Sequence, residues 1–272
     1  MLIASNVSFS YAETPTLSEV SLSLAPHSLR ALIGPNGSGK TTLLKVLAGI
    51  LTPARGTVAW EGTDIRRFSR REMARRIALV PQELNIAFGL SVRELVLLGR
   101  TPYVGALAGP TRHDQEVVEN TLRLAEVGTL AERLVTELSG GEKQRVVIAM
   151  ALAQVLDGAE PAGRPRLLLL DEPTVHLDIN HQIEILELLK QLNRKYGLAV
   201  LATMHDLNLA ALYFDDLVLL KRGRVLAEGA PAAVLSADRI KQVFDAAVQV
   251  QPHPTRAEIP QVVLLPGTQK HG

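Results

Sequence analysis

The segment GPNGSGKTT, Gly34 to Thr42, constrains this chain more than any other. It follows LRALI, a short apolar run of strand type, and opens KTTLLKVLA, a run with helical periodicity. A strand, a glycine turn and a helix in that order predict a βα unit with a phosphate cradle at its joint. Gly34, Pro35, Asn36, Gly37, Ser38 and Gly39 let backbone N–H groups turn inward with no bulky side chain in the way. Lys40 then reaches the β- and γ-phosphates as a point charge, the Thr41 hydroxyl suits Mg²⁺, and Thr42 suits the α-phosphate. The alternative, a glycine-rich strand-to-helix turn with no ligand, is disfavoured by correct flanks on both sides.

The remaining pattern sets an α/β chain around that unit. LIASNVSFSY and VSLSL alternate like strands; Thr57–Trp60 and Ile77–Val80 continue the strand-rich part. From Ser91 to about Ala153 the periodicity turns helical, which predicts a helical lobe, roughly residues 90–155, inserted into the strand-rich part. Leu167–Leu170, four leucines in a row, suits a fully buried parallel strand. Asn180–Tyr196 reads as an amphipathic helix, Leu198–Thr203 as a second buried strand, Leu207–Phe214 as a helix, and the segments around RGR as a hairpin turning at Gly223. Two short helices follow Gly229. The expected division is a domain over residues 1–249 and a tail, 250–272, interrupted by Pro252, Pro254, Pro260 and Pro266. DGAEPAGRPR, Asp157–Arg166, reads as a surface loop.

Composition narrows the function classes. With 272 residues, 47% hydrophobic and 21% charged, the chain can bury a sizeable core and is not of disordered type. A net charge of +1 gives no support to a general nucleic-acid role. The absence of cysteine excludes disulfides and thiol catalysis. MLIASNVSFSYAE has no positive n-region, so it does not read as a signal peptide, and no apolar run reaches the ~18 residues of a membrane span. A membrane role would therefore come through a separate partner.

Several further residues are placed for chemistry. LLLLDEP sets Asp171 and Glu172 at the carboxyl end of the most buried strand, where ligands gather in open α/β sheets. Asp171 would hold Mg²⁺, and Glu172, pointing elsewhere, would accept a proton from or orient an attacking water. His205 follows the strand AVLATM and Gln82 follows IALVP, so both can reach a γ-phosphate, Gln82 through water and metal; a capping histidine and a polar loop residue are the alternatives. Tyr11 ends the first strand, either stacking on adenine or standing as a half-buried edge tyrosine. Finally LSGGEKQR, Leu138–Arg145, puts Ser139, Gly140, Gly141 and Glu142 at a helix start, a second anion site in one chain.

The phosphate loop, Gln82, LSGGEKQR, LLLLDEP, HLD and His205 stand in the order found in ABC-type ATPases, and the chain resembles the ATP-binding subunit of an ABC transporter over nearly its whole length. The resemblance implies a P-loop NTPase of ABC type: a RecA-like α/β core, an antiparallel β subdomain and an inserted α-helical subdomain. It implies ATP and Mg²⁺ as cofactors and a head-to-tail dimer in which Gly34–Thr42 of one copy holds ATP while Ser139–Gly141 of the other closes over its γ-phosphate. Asp178 would lie at the same seam, and His176 stands where the family often has a small residue. Thr41, Gln82 and Asp171 would face the metal; Lys40, Gln82, Glu172 and His205 would be catalytic. VRELVLLGRTPYVG and MHDLNLAALYFDD are similar to importers of ferric siderophores, heme and cobalamin, and QPHPTRAEIPQVVLLPG is similar to the heme-importing members. That implies two transmembrane permease subunits, a substrate-binding protein beyond them, and a location on the cytoplasmic face of the inner membrane. DNA-repair and chromosome-organising relatives insert a long coiled coil, and the interval from Gln82 to Ser139 carries no sustained heptads.

Overall fold

The computed structural model describes residues 1–84, 89–105, 109–157 and 165–266. Two long antiparallel strands, β1 (Leu2–Tyr11) and β2 (Thr14–Leu24), pair with β4 (Arg55–Trp60) and the two-residue β5 (Thr63–Asp64) in a sheet ordered β2-β1-β4-β5. Between them the chain makes β3 (Leu29–Ile33) and α1 (Lys40–Leu47). After α2 (Arg70–Ala74) and β6 (Ile77–Val80) comes the helical lobe: α3 (Val92–Leu98), α4 (Arg112–Leu124) and α5 (Gly140–Val155). The chain returns through β7 (Leu167–Leu170), α6 (Ile179–Tyr196), β8 (Ala199–Met204), α7 (Leu207–Tyr213), β9 (Asp216–Lys221) and β10 (Arg224–Gly229). It then forms α8 (Pro231–Val234), α9 (Ala237–Phe244) and a last hairpin, β11 (Val248–His253) with β12 (Arg256–Leu264). The surface loop expected over Asp157–Arg166 lies mostly outside the described residues.

The second sheet runs β10-β9-β3-β8-β7-β6, parallel except for β10. Its central strands are apolar on both faces because both faces are covered. Successive side chains point to opposite faces, so Leu168 and Leu170 enter one hydrophobic mass while Leu167 and Leu169 enter the other. Val200 and Ala202 divide from Ala199 and Leu201 in the same way. The first mass extends without a break into α3, α4 and α5; the second packs the sheet on α1 and on the antiparallel strands. Each leucine buried in this manner contributes about 1.5–3 kcal/mol.

Capping residues set the starts of the lobe helices. Ser91, Thr111 and Ser139 each close a reciprocal box with the carboxylate three residues on, Glu94, Asp114 and Glu142. The lobe is then fastened from inside by Arg100, almost wholly buried. Its guanidinium donates to Asp114 Oδ1 at 2.8 Å, to the carbonyls of Ala153 and Leu156 at 2.9 and 3.1 Å, and to Asp157 Oδ1 at 2.7 Å, and it lies 3.6 Å from the centre of the Tyr103 ring. Those two carbonyls belong to the end of α5, where helix carbonyls lack partners of their own.

The last segment is more regular than its prolines suggest. β11 starts at Val248 and so crosses the 249/250 boundary, and Pro252 and Pro260 face each other in its pairing with β12. In a two-stranded ribbon every strand is an edge, so a missing N–H is tolerated. Val248 and Val262 join the first hydrophobic mass. Asn208 of α7 clasps β12 with two bonds, its Nδ2 donating to Val262 O at 3.0 Å and its Oδ1 accepting from Val262 N at 2.7 Å.

Candidate active site

The parallel sheet delivers its chemistry to one edge. β3 ends in the glycine loop, β7 in Asp171 and Glu172, β8 in His205, and β6 in Pro81 and Gln82; β8 lies between β3 and β7. A cleft of about 500 Å³ opens there, lined by Asn36 to Thr42, Gln82, Glu172, Val175, His176, His205 and Thr16. A larger cavity of about 680 Å³, with Ile50, Phe68, Met73, Leu79 and Gln154 in its lining, lies elsewhere and holds none of these groups. The smaller cleft is the one that holds the glycine loop together with the residues that follow β6, β7 and β8.

The loop is held in one conformation. Gly39 precedes α1 with φ +103°, and a Cβ there would stand 2.9 Å from the Thr16 carbonyl oxygen. Only glycine tolerates both. Lys40 Nζ, buried, straps the loop by donating to the carbonyls of Gly34 and Pro35 at 2.8 and 3.2 Å. Burial pushes its ammonium down from the ordinary value, while the carboxylates of Glu172 and Asp171 pull it back up. The Ser38 hydroxyl is buried and has no partner among the described residues, as a group prepared for a phosphate oxygen would be.

Glu172 is held in a strained backbone conformation, φ +53°. Thr203 fixes it: the Glu172 N–H donates to Thr203 Oγ1 at 2.6 Å, and that hydroxyl donates to Asp171 Oδ1 at 3.0 Å. The Glu172 carboxylate then lies 2.5 Å from His205 Nε2. Asp171, buried, is anchored through its own N–H to Val80 O at 2.9 Å. No group of three or more histidines, aspartates or glutamates able to hold a metal is found among the described residues. Mg²⁺ needs no such cage where a carboxylate, a hydroxyl and substrate phosphates complete its shell, and the residues of that donor type here are Thr41 in the cleft lining and the buried Asp171 at the end of β7.

Not every residue expected at the site converges on it. Tyr11 ends β1, half exposed, with its ring edge-on to Phe9 at 4.9 Å, and is not in the cleft lining. Gly34, Pro35 and Asp171, which adjoin it in the chain, and Ser139, Gly140, Gly141, Glu142 and Asp178 also lie outside the lining. Part of the anion site expected at Ser139 is already satisfied within the chain. The Ser139 N–H donates to Glu142 Oε2 at 2.8 Å, and the Glu142 N–H donates to Ser139 Oγ at 3.3 Å. Hydrogen bonds from the Ser139 backbone and then its hydroxyl hold the Glu142 carboxyl below its ordinary range. Glu142 thus caps its own helix. Two residues given no role by sequence reasoning belong to the site: Thr203, a polar side chain in an otherwise apolar strand, and Thr16, brought in from β2. His176, at φ +63°, also lines the cleft.

A phosphate loop on β3, acids ending β7 and a histidine ending β8 define a phosphate-loop nucleotide-binding cassette. Residues 17–175 match the family described as ABC transporter. The hemin import ATP-binding protein of Gloeobacter violaceus is 42% identical over 265 residues, covering 97% of this chain and 94% of that protein. The achromobactin transport ATP-binding protein of Dickeya dadantii is 41% identical, covering 90% and 87%. The cobalamin import ATP-binding protein of Halobacterium salinarum is 43% identical over 91% of this chain, which spans only 60% of that relative's length. Among solved structures, an inward-facing transporter described as of metal-chelate type superposes with a TM-score of 0.83 at 28% identity, covering 97% of each chain. A dimeric bacterial ABC transporter cassette gives 0.70 at 29% identity, covering 85% of this chain and 99% of that one. The chain belongs to the ABC transporter family, and its fold is that of the family's ATP-binding cassette.

Proposed function

We propose that this chain is the ATP-hydrolysing subunit of a binding-protein-dependent importer of an iron chelate, a ferric siderophore or heme, working on the cytoplasmic face of the inner membrane. The observation that carries the reading is the gathering of Lys40, Gln82, Glu172 and His205 in one cleft while Ser139–Gly141 and Asp178 lie outside it. A triphosphate in the cleft is surrounded on one side only. A second copy, head to tail, supplies Ser139, Gly140 and Gly141 from the start of its α5, where the helix dipole favours the charged γ-phosphate. Loss of that phosphate removes the attraction, and the pair reopens.

At the cleft the loop from Gly34, Pro35, Asn36, Gly37, Ser38 and Gly39 to Thr42 wraps the phosphates and Lys40 neutralises them, while the base, reaching past the lining, stacks on Tyr11 at the end of β1. Mg²⁺, when bound through Thr41, Asp171 and Gln82, supplies charge neutralisation at the phosphate oxygens. Glu172 orients the attacking water and takes its proton, and His205 positions the Glu172 carboxylate and the γ-phosphate. Glu142 keeps the Ser139 turn in shape, and Asp178 meets the second copy. Two transmembrane permease subunits complete the machine, consistent with there being no helix among the described residues long and apolar enough to cross a membrane. Each permease seats a short helix in a groove between the helical lobe and the Gln82 loop, and a substrate-binding protein delivers the cargo. The names of the hemin and achromobactin relatives favour iron chelates, and that of the Halobacterium protein keeps cobalamin as the second reading.

The test uses Glu172→Gln. With ATP and Mg²⁺ it should bind nucleotide, nearly cease turnover and elute at twice the monomer mass. A variant that stays monomeric with ATP, even beside its permease, overturns the shared-site reading. The cargo follows from which chelate stimulates ATPase activity in the reconstituted complex.

A further inference from the structure

His181, in the first turn of α6, joins two segments that are far apart in sequence. On one side its ring lies flat against Gly141: a Cβ built on that glycine would stand 2.1 Å from His181 Cδ2 and 2.6 Å from Cγ. Only a hydrogen atom fits between them. On the other side its Nδ1 lies 2.8 Å from each carboxylate oxygen of Asp178, and its backbone N–H donates to Asp178 Oδ1 at 3.0 Å. Asp178 is the N-cap of α6, so one carboxylate both starts the helix and aims the ring. One turn further along each helix, Arg145 of α5 reaches Glu184 of α6 at 2.6 Å and Glu126 at 2.7 Å. The starts of α5 and α6 are therefore tied twice, by the imidazole at the tip and by the guanidinium behind it. His181 itself is not part of the nucleotide cleft of its own chain.

We propose that His181 is a positioning residue that locks the Ser139–Gly141 turn and Asp178 into one rigid face, so that a chain presents both together to the nucleotide of a second copy. The inference rests on the shared-site reading above. It places the contribution of His181 in closure and turnover, not in the first capture of nucleotide. A displacement of the turn by about 1 Å is enough to cost up to a hundredfold in rate.

The test compares His181→Ala and His181→Gln in the full chain, each also combined with Glu172→Gln. Glutamine returns an N–H toward Asp178 and a planar group over Gly141. His181→Ala should lower kcat about ten- to a hundredfold. Its affinity for a fluorescent ATP analogue, measured on the monomer, should stay within about twofold, because its own cleft is untouched. In the Glu172→Gln background, the protein concentration for half-maximal ATP-driven dimerisation should rise about tenfold, following the lost preorganisation. His181→Gln should recover most of both losses. Unchanged kcat and dimerisation in His181→Ala overturn the proposal. So does a parallel fall in monomer nucleotide affinity, which would put the residue in its own site, and so does a lowered Tm whose effects glutamine fails to rescue. If Glu172→Gln with His181 intact does not dimerise on ATP, the shared-site reading fails, and this inference with it.

Discussion

Nε2 of His205 lies 2.5 Å from Oε1 of Glu172, and the two residues follow neighbouring parallel strands. A carboxylate in such contact with an imidazole is fixed in direction before any substrate arrives. Replacing His205 with alanine should therefore slow phosphate release by roughly 10²–10⁴, the range for loss of a positioned acid–base partner. Nucleotide affinity should change only a few-fold. Steady-state phosphate assays and nucleotide titration separate the two; an equal loss in both would make His205 a binding residue only.

Thr203 holds both acids, accepting from the Glu172 backbone and donating to Asp171. Thr203→Val keeps the shape and removes the hydroxyl, leaving a partly buried N–H and a buried carboxylate each short of a partner. Stability should fall by about 1–3 kcal/mol, and Tm by roughly 2–12 °C. Turnover should fall as the strained Glu172 backbone relaxes, and Thr203→Ser should restore both. Calorimetry and ATPase rates on the three proteins decide it.

Arg100 is the internal fastening of the helical lobe. Arg100→Ala strands the buried Asp114 and two carbonyls ending α5, which should cost about 3–5 kcal/mol and lower Tm by roughly 6–20 °C. Lysine, with one nitrogen for three directions, should rescue little. A melting curve like that of the unaltered protein would show that the cluster contributes nothing.

The same cluster predicts acid sensitivity. Burial pushes the Asp114 carboxyl up, but bonds from the Thr111 hydroxyl and backbone and from Arg100 outweigh it and hold the group below 3.8. For Asp157, burial likewise pushes up, and Arg100 and His113 pull it below 3.8. Between the folded and ordinary values the unfolded chain binds more protons, so stability rises with pH across that window. It is fully present above the ordinary value and is lost as pH falls through the folded ones. Melting temperatures from pH 5 down to 3 should drop less steeply in Asp114→Asn than in the unaltered protein.

What the sequence revealed and what it hid divide along a physical line. Gln82, Glu172 and His205 were readable because each follows a short apolar run, and a parallel sheet brings the ends of such runs to one edge. The leucine run of β7 announced burial on both faces by having no alternation. Arg100 gave no such signal: its partners come from α4, the end of α5 and Asp157, and only tertiary packing unites them. Thr203 sat inside a strand pattern where one hydroxyl changes nothing in the periodicity. Gly141 read as phosphate chemistry, yet its Cα also faces the ring of His181, which no local spacing discloses. The prolines after Gln249 hid a hairpin because pairing depends on register, and register shows only when both strands are placed.

The clasp of Asn208 on Val262 links the far end of the described chain to a helix that begins two residues after His205. The hairpin is thereby seated beside α7 by this amide clasp and by the packing of Val248 and Val262, so the end of the described chain and the histidine that precedes α7 share one support. The antiparallel sheet reaches the same cleft from the opposite direction, through Thr16 of β2 against Gly39, so the nucleotide edge is braced by both ends of the chain.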